Sequence, residues 1–93
     1  MIRYAGLMIL LVLLSACTAA PIQEMSDARQ AITAASQAGA DSRSPSVLFK
    51  AKQYLMVAES ALERGEYGVA KRSALKAKRQ AVKARLISVN DPL

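Results

Sequence analysis

The chain is short and basic: 93 residues carry thirteen Lys and Arg against seven Asp and Glu, with no His, no Trp and a single Cys. One Cys excludes an intramolecular disulfide and a Cys-rich metal site. Without His, the group that titrates nearest neutrality is missing, so the expectation is no enzyme activity, no metal and no cofactor. A chain of this size buries at most one small core, which needs close packing or a bound surface to be stable.

Arg3 is the charge ahead of an apolar run from Ala5 to Leu14, which closes on the small residues Ser15 and Ala16 before Cys17. At 1.5 Å per residue such a run reaches about 15 Å, half of a hydrocarbon core of about 30 Å. It therefore reads as a cleavable export signal over residues 1–16 and not as a permanent span. Leu14, Ser15, Ala16 and Cys17 resemble the lipobox of bacterial lipoproteins, whose signal peptidase recognises the first three positions and cuts before a diacylglycerol-bearing Cys. The resemblance implies covalent lipid on Cys17, with acyl chains such as palmitate; three chains anchor stably where one holds only marginally. In a Gram-negative host, Thr18 in place of an Asp after the Cys implies the outer membrane, with the body facing the periplasm.

Residues 17–21 read as an acylated tether, and Pro21 suits the first turn of a helix. From there Ile22, Met25, Ala28, Ile32 and Ala35 recur at steps of three and four, the period of one helix face. Gly39 is the stop signal, so a first helix is expected over about 22–38. Ser26 before Asp27 offers an alternative, later N-cap. Residues 40–44 read as a polar loop in which Ser44 caps, and Pro45 opens, a second helix over about 45–64. Leu48, Ala51, Leu55, Ala58, Leu62 and Gly65 alternate along it as a seam. Its small positions admit a neighbouring backbone, and each Leu contributes about 1.5–3 kcal/mol when fully buried.

Gly65 ends this helix, and so short a turn folds the third, over about 66–89, back as an antiparallel hairpin. Along it Tyr67, Ala70, Ala74, Ala77, Ala81, Ala84 and Ser88 form an Ala stripe, the natural mate of the seam. A second apolar row of Leu75, Val82 and Val89, with Leu86 beside it, is available to the first helix. Residues 90–93 form a tail. The expected fold is all-α: a signal peptide followed by a small antiparallel helical hairpin or a three-helix bundle.

Tyr54, Ala58, Gly65, Glu66, Tyr67, Ala70, Ala74 and Ala77 resemble a single tetratricopeptide-type hairpin over about 30 residues. The chain departs from that motif in having one copy, no closing Pro and an over-long last helix, so a peptide-binding groove does not carry over. The whole arrangement of lipobox, short tether, Ala-rich helix, Ala38-Gly39-Ala40, Pro45 and long hairpin resembles a family of small Gram-negative outer-membrane lipoproteins. Their Ala-rich helical domain is of unknown function and is sometimes found with OmpA-like peptidoglycan-binding domains.

Charge is placed unevenly. Five basic residues balance five acidic ones between Cys17 and Gly65, whereas from Glu66 to Val89 Lys71, Arg72, Lys76, Lys78, Arg79, Lys83 and Arg85 face Glu66 alone. One reading is a solvated helix whose cations complement the dipole. The other is a strip that attracts an anionic surface. Export excludes nucleic acid and leaves peptidoglycan, lipopolysaccharide phosphates or an acidic envelope protein. Tyr54 and Tyr67 read as packing residues, and Glu59, Glu63 and Glu66 as surface charges. The function expected is a structural or interaction module held in the outer membrane; alternatives are a self-associating coiled coil and a small regulator of an envelope enzyme.

Overall fold

In a computed structural model, which describes Tyr4 and residues 19–90, the Ala-rich body forms four helices: α1 Ile22–Gln37, α2 Ala40–Arg43, α3 Pro45–Glu63 and α4 Tyr67–Asn90. The protein is all-α, and no strand occurs among the described residues. Tyr4 apart, the signal peptide assigned to residues 1–16 lies outside the described residues, as do Leu14, Ser15, Ala16, Cys17 and residues 91–93.

Two glycines set the helix ends. Gly65, at φ 74°, follows α3; its N–H donates to the Leu62 carbonyl at 3.1 Å, and the Glu66 N–H to that of Ala61 at 2.9 Å. This is the paired closure of a Schellman turn, available to Gly because the left-handed region carries no Cβ penalty there. Gly39, at φ 91°, closes α1 with its N–H on the Ser36 carbonyl at 3.0 Å.

Three local expectations are corrected. Residues 40–43 are not a polar loop but the one-turn helix α2: the Gly39 carbonyl accepts from Ser42 and Arg43 at 3.1 and 2.9 Å. The physical reason is Ala40, which is fully buried beside Ala35, Leu48 and Ala84; one tight turn puts this methyl inside while Asp41, Ser42 and Arg43 stay exposed. Ser44 occupies the N-cap position of α3, but its hydroxyl makes no cap bond. It is buried and turned across the bundle, 2.8 Å from both the Ala84 carbonyl and the Ser88 hydroxyl. Finally, α1 starts at Ile22 with Pro21 in the cap position, so Ser26 and Asp27 lie inside the helix and do not open it.

Helix α4 is the middle of a three-helix bundle. Met25 and Ala28 of α1 and Ala58 of α3 converge on Ala74 and Ala77, while Ala35 and Leu48 converge on Ala84. Advancing along α4 therefore advances along α1 and retreats along α3: α1 runs parallel to α4 and α3 antiparallel. The Ala stripe is the shared floor, with Ala70, Ala74, Ala77, Ala81 and Ala84 all fully buried. From the α3 seam Leu48, Ala51 and Ala58 are buried and Leu55 and Leu62 half-buried, Ala61 joins them inside, and Gly65 is exposed at the turn.

The second apolar row is not buried by α1, and only Val82 reaches the edge of a groove beside it. Leu75 is half-buried, but Val82, Leu86 and Val89 are 43, 53 and 56 % exposed. The reason is the size of Ala: a stripe of methyls lets two helices approach one backbone closely, so α1 packs on the same stripe as α3. The larger row is left turned outward.

Candidate functional site

The seven basic residues expected to act together fall into two sets. Lys71, Lys78 and Arg85, seven apart, lie on the side of α4 that meets α1. There the Lys71 ammonium is 3.8 Å from a Glu24 carboxylate oxygen, and that of Lys78 is 3.9 Å from Asp27. Arg85 lines, with Lys78 and Val82, a shallow groove against Asp27, Ala31 and Ala34. Long, half-exposed pairs of this kind contribute about 0–1 kcal/mol each. They offset the charge of Lys71 and Lys78, while Arg85 forms no ion pair among the described residues.

Arg72, Lys76, Arg79 and Lys83 follow steps of four, three and four and form one exposed row. Lys76 reaches the α3 edge, its ammonium 5.8 Å from the centroid of the Tyr54 ring. Among the described residues none of these four forms an ion pair. Gly68, one turn earlier, leaves room for the Arg72 guanidinium, which lies 3.4 Å from where a Cβ would stand. Residue spacing carries a signal for this division that treating the helix as one basic block misses: one set repeats every seven residues and the other fills the next face round.

The remaining candidates are structural in position. Tyr54 is half-buried against the Met25, Ala58, Ala74 and Ala77 cluster, and Glu66 pairs with Arg64 at 3.0 Å. Tyr67, with Gly68 and Lys71, lines a groove against Ala19, Ala20, Pro21 and Glu24. The chain thus enters the domain beside the first turn of α4. At the far end is a polar latch that sequence reasoning missed. Arg43 donates to the Ser88 carbonyl at 2.9 Å, one of the last carbonyls of α4 left without a helical partner. The hydroxyls of Ser44 and Ser88 share the Ala84 carbonyl, both at 2.8 Å. The interruption of an Ala stripe by Ser88 was the visible sign.

Among the described residues no group of His, Cys, Asp and Glu is placed to hold a metal ion, and no helix is long and apolar enough to cross a membrane. The molecule is a small all-α domain in which one basic helix is packed by two others and keeps one charged face open. The family described as "Domain of unknown function (DUF4398)" matches residues 23–88, a span that runs from α1 into the end of α4. The chain belongs to that family. No curated protein and no solved structure matches it.

Proposed function

We propose that this chain is an outer-membrane lipoprotein, held by lipid on Cys17, whose periplasmic helical domain works as a structural or interaction module. It acts without catalysis, and the exposed row of α4 faces an anionic component of the envelope, either peptidoglycan or an acidic envelope protein. The observation that carries the reading is the row Arg72, Lys76, Arg79 and Lys83, four cations on one face that form no ion pair among the described residues. The lipobox-like residues Leu14 to Cys17 stand a few residues ahead of the same domain. The likeness to lipoproteins found with OmpA-like domains favours the cell wall as partner. Burial of the Ala stripe by α1 and α3 within one chain speaks against a coiled-coil oligomer built on that stripe.

The test is made in a Gram-negative cell with the full chain. Expected for the native sequence is a mature protein that starts at Cys17, carries the mass of attached lipid and fractionates with the outer membrane. Cys17→Ser should leave the protein unlipidated with residues 1–16 retained. A native protein that keeps those residues, or lacks lipid, overturns the anchor. Photocrosslinkers at Arg72, Arg79 and Lys83 then report the partner: muropeptide or a recurrent protein adduct is expected, and no adduct at any of the three overturns the contact.

A further inference from the structure

The outer face of α4 carries more than charge. Val82, Leu86 and Val89 stand exposed on the turns beside Arg79 and Lys83, so a cationic row and an apolar row run side by side. We infer that this face docks on the anionic surface of the bilayer itself, with the domain lying along the membrane that anchors it. The inference rests on the lipid anchor of the reading above, keeps its anionic contact, and moves that contact from the wall or a protein to the membrane, the first surface that the anchored domain meets.

Three observations select the bilayer. A sugar–peptide wall answers the four cations but leaves the Val and Leu side chains in water, whereas an anionic lipid surface answers both. Phosphates meet Lys and Arg while apolar side chains enter the headgroup boundary, the pattern of an interfacial helix. A second copy bound through the same face would set cations against cations, which like-charge repulsion disfavours.

The tether supplies the third. From Cys17 to Pro21 the chain spans at most about 14 Å at 3.3–3.6 Å per residue. Ala19 to Pro21 line one groove with Tyr67, Gly68 and Lys71, about one turn ahead of Arg72. The anchor therefore delivers the start of the face to the lipid surface. Because α1 and α3 both pack on the Ala stripe, the face stays exposed between them, with Val82 at its α1 edge and Lys76 at its α3 edge.

The experiment uses the full chain, produced in a Gram-negative cell, purified in detergent and reconstituted into vesicles. One set is of phosphatidylcholine and the other of an equimolar mixture of phosphatidylcholine and phosphatidylglycerol. Hydroxyl-radical labelling read by mass spectrometry reports exposure of each side chain. Expected is a several-fold drop in labelling of Leu86 and Val89 on the anionic vesicles alone, reversed by high salt and by Arg72→Gln, Lys76→Gln, Arg79→Gln and Lys83→Gln combined. Phe49 and Met56, exposed on α3, should label equally on both and serve as the reference.

Equal labelling of Leu86 and Val89 on both vesicle types, with the protein co-floating and lipid present on the Cys17 peptide, overturns the docking while leaving the anchor intact. Loss of flotation together with an unmodified Cys17 peptide overturns the anchor, and the docking with it. Protection that appears only when muropeptides are added overturns the bilayer as occupant in favour of the wall. The salt reversal uses the native chain, so the result does not depend on how the fourfold variant folds.

Discussion

At the scale of single residues, Gly65 and Gly68 stand three apart and do opposite work. Gly65 sits at φ 74° with nothing within 4 Å of where a Cβ would be. Gly65→Ala therefore loses stability through backbone conformation alone, about 1–2 kcal/mol. Gly68 lies within α4, without a positive φ, and a Cβ there meets only the end of the Arg72 side chain at 3.4 Å. Gly68→Ala should gain up to about 0.5–1 kcal/mol by restricting the unfolded chain. Thermal melts of the two variants should shift in opposite directions; shifts of one sign would refute the assignment. Both helix-ending glycines were legible in the sequence because a helix end is a local event. The inward turn of Ser44 was not, since its partners, Ala84 and Ser88, are some forty residues away, and a Ser before a Pro reads as a cap until they are known.

At the scale of elements, α4 shows what periodicity settles and what it leaves open. The three-and-four spacing of Ala70, Ala74, Ala77, Ala81 and Ala84 marks a buried face, and every one is fully buried. It does not say how many neighbours share that face. The apolar row through Val82 and Val89 is equally available by spacing, yet α1 packs on the methyl stripe, where Ala side chains let two backbones come close. The basic residues were legible as a set on one helix, while their division awaited the position of α1, which brings Glu24 and Asp27 to Lys71 and Lys78. Ala77, packed by α1 and α3 at once, has no room for a larger side chain. Ala77→Leu should destabilise by about 1–3 kcal/mol, a fall in Tm of at least about 4 °C for so small a domain. An unchanged melting curve would mean that the helices part there without penalty.

At the scale of the whole molecule, the two ends of the bundle differ in kind. The chain enters beside the Gly65 turn and the first turn of α4, while the opposite end is closed by Arg43, Ser44 and Ser88. The open face of α4 joins them, so tether, turn and charge are arranged along one direction. The core between the ends is thin. Of its fully buried side chains the largest are Met25 and Ser88, and most of the rest are Ala methyls. The heat capacity of unfolding grows with the apolar area exposed, about 0.45 cal/mol/K per Å², and averages about 12–15 cal/mol/K per residue in globular proteins. A core of methyls exposes little such area, so calorimetry should find an increment per residue below that range, and the denaturant slope should be correspondingly small. The stability curve is then shallow: the fold holds much the same margin from cold to warm and gives way over a broad interval of temperature instead of at a sharp point.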